Sequence, residues 1–559
     1  MRRQAGRTLA LLALVLGLAV MGLAQTKTLT ILHTNDSHSA VLPMSHQPYP
    51  TPFTWLWPEH RMGWLDEFRG PRGFDRDYAG IARISTLIKN LKRGRPNVLA
   101  LDAGDVFVGS FEFNTYLGYP QLKIMEGLYD AMSLGNHEFD LKMDTLAAVV
   151  SGVIAQSAPV TLPLLNANIN FDGHALAAMI QKSIIMEIDG VKVGIFGLLN
   201  EDPFNFGAEV IQRFSGDINH VANMQVSALE AAGCQVIICL SHLGTSGDLK
   251  LADDVAGIDI IVGGHSHDEF RRAVVRSGKI IVQAGSHNRA LGELVVKLEP
   301  DGTVKLLKWK LHQADKTVRP DPQLGPQLDA LRDGVVAKFG PVYSETVATA
   351  FRNISREFPT TGPNRDAPLG NLVTDAMRHA VPIPLPNTVL ADYCAFDALG
   401  YTEFGIPAGR VVGNDILRAV PYGYDPETGL GFKLVIVPLY GQVILGALDY
   451  AVSNSLYPQV SGLTFSFHSG LGHIVPETVM LNGEQVVANL NKVYYVITTD
   501  GIFSFLDALA PGQLTAIPTG ISEYTAVHDF MKSLGFVFYR SEGRVLDLAA
   551  PAALAPIRH

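Results

Sequence analysis

Five short strings rich in Asp, Asn and His punctuate the first half of this 559-residue chain: TNDSH from Thr34, DAGDVF from Asp102, GNHEFD from Gly135, SHLG from Ser241 and GGHSH from Gly263. Each follows an apolar run, so each delivers its polar side chains at the carboxyl end of an expected strand. Carboxylates, a carboxamide and imidazoles, with no thiolate among them, suit hard or borderline divalent cations. Several such strings converging on one pocket are what a two-metal hydrolase needs.

The spacing within each string adds detail. Asp36 and His38 stand at i, i+2, which sends both side chains to one side of an extended chain, and His265 with His267 repeats the pattern. Asp105 follows a flexible glycine and is the natural carboxylate to bridge two cations, whose mutual repulsion an anion offsets; Asp102 reads as a turn or supporting residue. Asn136 offers a neutral oxygen, and His242 a further imidazole. His137 with Asp140 has a different use: a histidine held by a carboxylate keeps its orientation and its proton, and can stabilise a phosphoryl oxygen or protonate a leaving group. The implied cofactor is two divalent metal ions, with Mn2+, Zn2+ and Co2+ all open.

Seven apolar segments, TLTILHTND, NVLALDAGD, YDAMSLGNHE, KVGIFGLL, CQVIICLSH, IDIIVGGHSH and KIIVQAGSH, must position these strings, and IARISTLIKNLK is patterned as a helix between two of them. Near-continuous apolar strands indicate sheets covered on both faces, with ligands bound outside their carboxyl ends. EPDGTVK signals a hairpin near residue 300, and PDPQLGPQLDALRDGVVAKFG is a proline-punctuated lead into a lone helix, as a connector would be. The expected division is a signal peptide over 1–24, a first domain over 25–315, a linker with a connecting helix over 316–342 and a second domain over 343–559.

With 47% hydrophobic and 18% charged residues the chain is globular, and a net charge of -10 without a basic run excludes nucleic acid as the main partner. Arg2, Arg3 and Arg7, an apolar stretch from Leu9 to Val20, and Gly22-Leu23-Ala24 compose an export signal. The apolar stretch is short for a bilayer, so no stable membrane anchor is expected, and the product belongs in a periplasm or outside the cell. Cys234, Cys239 and Cys394 show no metal-type spacing. Residues 42–78 carry Trp55, Trp57 and Trp64 and read either as an aromatic lid or as a surface insertion.

From Thr28 to Leu298 these strings resemble the metallophosphoesterase domain of the bacterial 5'-nucleotidase family, a branch that also holds cyclic-nucleotide phosphodiesterases and thiosulfohydrolases. The resemblance implies an α/β fold: a four-layer αββα domain followed by a smaller α/β substrate-binding domain. It implies that Asp36, His38, Asp105 and His267 hold one cation, that Asp105, Asn136, His242 and His265 hold the other, and that His137 and Asp140 are the catalytic pair. His267 departs mildly from the Gln or Asn frequent at that position.

The second half resembles the family's C-terminal domain less completely. GNLVTDA from Gly370 matches its helix start, and the resemblance puts Arg365 against a substrate phosphate, Tyr422 against a base, Phe503 near the second stacking position and Asp507 at a family aspartate. Tyr422 and Phe503 read equally well as core aromatics. Where relatives carry an NGGGIR-like string, this chain has Asp397-Ala398-Leu399-Gly400-Tyr401-Thr402-Glu403, with neither the Asn nor the Arg. The expected function is an exported phosphomonoesterase acting on a small phosphoester, a 5'-nucleotide foremost. The alternatives are a 2',3'-cyclic-nucleotide phosphodiesterase, a thiosulfate-ester hydrolase and a catalytically silent binding protein.

Overall fold

The apolar run behind TNDSH forms the strand Lys27–Thr34, and its last six residues are buried. Its parallel neighbour Val98–Asp102 pairs Thr34 with Asp102, and Asp102 pairs in turn with Met132 on the strand Ala131–Ser133, so three strings leave one sheet at the same edge. This computed structural model describes residues 27–44, 78–202, 205–359, 361–381, 393–509 and 512–549. The expected export signal and the tryptophans of the 42–78 segment lie outside the described residues. The ends of that segment are joined by a bridge between Met44 and Tyr78.

The first sheet has seven strands, in the order Val304–Gln313, Ala290–Leu298, Lys27–Thr34, Val98–Asp102, Ala131–Ser133, Leu164–Leu165 and Ile180–Gln181. The second has six: Val274–Arg276, Lys279–Val282, Ile260–Gly263, Val236–His242, Val191–Leu199 and Ser183–Ile188. Ile31, Leu99 and Leu101 of the first sheet pack on Val193, Ile238 and Val262 of the second. Burying each such side chain contributes roughly 1.5–3 kcal/mol. Helices close both outer faces. Ile81–Lys92 turns Ile81, Ile84 and Ile88 inward at helical spacing against the first sheet, and Ile218–Ala231 with Gly244–Asp254 covers the second. The layers run helix, sheet, sheet, helix. The hairpin expected near residue 300 is formed, with the Glu299 amide donating to the Thr303 carbonyl.

In the second half a five-stranded sheet runs Pro458–Ser461, Tyr393–Ala398, Val493–Thr499, Lys433–Tyr440, Ile517–Ser522. The helix Pro368–Ala380 opens on a proline, whose fixed φ suits a first helical position, and packs with Glu523–Leu534 on one face of that sheet. Gly441–Ser453 and a four-stranded sheet cover the other face.

The lone helix Gly325–Phe339 is no free tether. Leu328 and Leu331 join the first core and Val335 the second. The proline-rich lead before it is held by Asp321, which accepts from Ser85 and Lys89 at 2.6 and 2.5 Å.

Two fully buried carboxyls, Asp397 and Glu523, face each other in the second domain. Burial pushes Asp397 up to about 7 and, with Asp397 beside it, holds Glu523 well above the usual carboxyl range. Both groups bind protons more tightly folded than unfolded. The Asp397 contribution is therefore complete below a pH of about 4 and is lost as pH rises through about 7. Asp397→Asn is expected to flatten that decline, measured as urea midpoints from pH 5 to 8; an unchanged pH profile would refute the assignment.

Candidate metal centre

Backbone conformation concentrates at the strand ends. Asp36, His38, Asp105, His265 and His267 all have left-handed φ values, 50, 43, 55, 73 and 58°. Such residues cost of order 1–3 kcal/mol each and persist only where the surroundings determine them. Here the buried sandwich behind them offsets the strain. Gly135 is required for a related reason: a Cβ on it would stand 2.1 Å from Asp105 Oδ1.

The two sheets bring the strings together in two groups. Asp36, His38 and His267 form one, and Asp105, His242 and His265 the other; within each, the possible ligand atoms lie within 4.8 Å of one another. Asp36, His38, Asp105 and His242 are buried. The groups adjoin, because His242 Nε2 is 3.0 Å from Asp105 Oδ2 and 3.8 Å from Asp36 Oδ1.

The hydrogen-bond pattern fits cations. His242 Nδ1 donates to the Ala103 carbonyl at 2.7 Å, which turns Nε2 toward Asp105. Nε2 makes no aligned hydrogen bond there, and Asn136 Oδ1 is likewise buried without a partner. His38 Nε2 and His267 Nε2 meet at 2.9 Å, a contact that needs a shared proton or a shared cation. Ligand atoms that point at a common place, with buried oxygens and nitrogens left over, are what a metal pair would satisfy.

Electrostatics separate the imidazoles. Burial and the neighbouring His267 push His38 down to about 4, and burial with His242 does the same to His265, so both offer neutral nitrogens. Burial would lower His137 as well, but Asp140 and Asp105 outweigh it and hold the ring up at about 10. His137 Nδ1 lies 2.8 Å from Asp140 Oδ2, its backbone amide donates to Asp105 Oδ1 at 2.9 Å, and its Nε2 is 4.0 Å from Asp105 Oδ2.

Four side chains at this centre were not singled out from sequence. Glu138 accepts from the amides of Asp105, Val106, Phe107 and Gly135, clamping the DAGDVF loop to the GNHEFD turn. It lies within GNHEFD, between His137 and Phe139, and its partners on the DAGDVF loop are distant in sequence. Asn35 donates to Asp36 and accepts from Ala284. His287, which ends KIIVQAGSH, stacks on His38 at 4.9 Å. Glu403, from the second domain, reaches His267 Nδ1 at 3.3 Å. Asp102 accepts from Thr34 and from the Gly104 amide, a supporting position.

Of the substrate-side expectations, Tyr422 is brought to the centre: its ring stacks on His137 at 5.4 Å and 19°, and its hydroxyl donates to Glu403 at 2.9 Å. The others make their described contacts inside the second domain. Arg365 pairs with Asp547 at 3.2 Å and lies over the Phe358 ring. Phe503 packs against the core around Val435 and Ile444, and Asp507 accepts from the Gly512 amide. All three cysteines are free, and no described helix is long and apolar enough to cross a membrane.

Residues 29–269 match the family described as calcineurin-like phosphoesterase, and residues 345–509 match the 5'-nucleotidase C-terminal domain. The trifunctional nucleotide phosphoesterase protein YfkN of Bacillus subtilis (strain 168) is 28% identical over 523 residues, covering 84% of this chain but 34% of that longer protein. A 5'-nucleotidase of Bos taurus is 28% identical over 600 residues, 97% of this chain and 94% of its own. Among solved structures, the 5'-nucleotidase precursor from Thermus thermophilus superposes with a TM-score of 0.75 at 27% identity, covering 94% of this chain and all of its own.

Proposed function

Because the chain belongs to the 5'-nucleotidase family of metal-dependent phosphoester hydrolases, we propose that it is an exported phosphomonoesterase that releases phosphate from nucleotides with two divalent cations. The observation that carries this reading is the pair of adjoining ligand groups around Asp105 with His137 and Asp140 at their edge. Asp36, His38, Asp105 and His267 would hold one ion, and Asp105, Asn136, His242 and His265 the other, with Mn2+, Zn2+ or Co2+ as candidates. Such ions supply charge neutralisation at the phosphoryl oxygens and a water of lowered pKa.

The chain's own residues do the rest. Asp140 fixes the His137 ring through Nδ1, so the proton on Nε2 is the one offered to a phosphoryl or leaving oxygen. Tyr422 covers the ring and restricts water. A cavity in the second domain, lined by Phe396, Tyr401, Leu448, Tyr450 and Phe505 and reached by Asn205 of the first, supports docking of a nucleoside. Tyr401 lies 6.4 Å from Tyr422, which links that cavity to the phosphoryl end. Export rests on the N-terminal sequence, and the domain division at 316–342 on the connecting helix.

One observation favours the cyclic-diester alternative: Glu403, from the stretch that lacks the family's arginine, puts a carboxylate at the centre, and a monoanionic diester is repelled less than a dianionic monoester. Metal-stripped protein resupplied with Mn2+ should convert 5'-nucleoside monophosphates to nucleoside and orthophosphate. Turnover confined to 2',3'-cyclic nucleotides would sink the monoesterase reading, and turnover of neither would sink both.

A further inference from the structure

Glu403 comes from the domain that supplies none of the expected cation ligands, yet it is buried against two imidazoles of the other domain. Its Oε1 is 3.3 Å from His267 Nδ1 and 3.9 Å from His287 Nε2, and its Oε2 accepts from Tyr422. His267 uses its opposite nitrogen for the metal centre, where Nε2 lies 3.5 Å from Asp36 Oδ1 and 2.9 Å from His38 Nε2. A ring with one nitrogen turned to a carboxylate and the other to a ligand group is the outer part of a carboxylate–histidine–cation triad. The carboxylate holds the proton on Nδ1, orients the ring and makes Nε2 a better donor to a cation.

The carboxylate is firmly presented. The Glu403 amide donates to the Ala419 carbonyl, and that of Phe404 to the Arg418 carbonyl. Phe404 lies edge-on against His287 at 4.4 Å and packs with Ala40, Met44, Tyr78 and Ala79 of the first domain. His287 Nε2 is buried, has no hydrogen-bond partner and stands on the same side of Glu403. The contact is therefore a built interdomain joint, and its polar centre is one carboxylate.

We propose that Glu403 is a positioning residue that sets the tautomer and orientation of His267 across the domain boundary, so that cation affinity and the docking of the second domain are coupled. The inference rests on the two-cation reading above. By linkage, whatever factor docking adds to cation affinity, a bound cation adds to docking. The Glu403 carboxylate thus acts on the metal through its ligand.

The test is calorimetric titration of metal-stripped full-length protein with Mn2+, with Co2+ absorption as a second reading of ligand geometry. The parent should take up two ions. Glu403→Gln should weaken one of them about 10–100-fold, leave the other unchanged and shift the Co2+ spectrum. Tyr422→Phe, which removes only the donor to Oε2, should weaken the same ion by a smaller factor, and it keeps the test usable should Glu403→Gln fail to fold. Two ions in the parent with unaltered affinities in both variants would overturn this inference alone. Fewer than two in the parent would overturn the metal reading and this inference with it.

Discussion

Replacing His137 with alanine is expected to lower kcat by about 10²–10⁴-fold, the usual worth of a positioned acid or base, with cation content unchanged. The two effects separate because His137 belongs to neither ligand group, while its Nε2 stands only 4.0 Å from Asp105 Oδ2. Asp140 and Asp105 hold the ring up at about 10 against the cost of burial, so it carries a proton at neutral pH. Cations at Asp105 would cancel part of that support and leave Asp140 as the principal one. The alkaline limb of the kcat profile then reports loss of the His137 proton, and Asp140→Asn should move that limb to lower pH. A His137→Ala enzyme as fast as the parent would remove the proposed role.

Asp105→Asn is expected to cost more, because both cations depend on that carboxylate. The amide oxygen can still accept the His137 backbone N–H that Oδ1 accepts now at 2.9 Å, so the loop keeps its shape. The negative charge beside His242 is lost, and with it the offset to repulsion between two dications. Ligand at a thousandfold excess over Kd stabilises a fold by about 4 kcal/mol. At about 2–4 °C per kcal/mol for a domain of this size, Mn2+ should raise the parent's Tm by roughly 8–16 °C. The asparagine variant should show neither that rise nor measurable phosphate release. Retention of both ions and of the thermal shift would refute a shared carboxylate at 105.

Much of the centre was legible because ligand chemistry is local. Each string couples a donor to the apolar run before it, and the strands Lys27–Thr34, Val98–Asp102 and Val236–His242 deliver Asp36, Asp105 and His242 as that coupling requires. Glu138 was hidden although it lies within GNHEFD, since its value comes from amides on a second loop. The substrate side was less legible. A resemblance places Arg365 and Phe503 by position, but their present partners, Asp547 and the core around Val435, are set by long-range packing.

Residue type and spacing by themselves pointed to the candidate donors, their strand-end placement and sheets covered on both faces, because apolar periodicity and side-chain type are written residue by residue; the four-layer arrangement was what the resemblance implied. Which donors share a group, and that a carboxylate of the second domain rests on His267, were decided only by tertiary structure. Those facts follow from sheet register and domain docking, which join segments far apart in the chain and leave no local pattern to read.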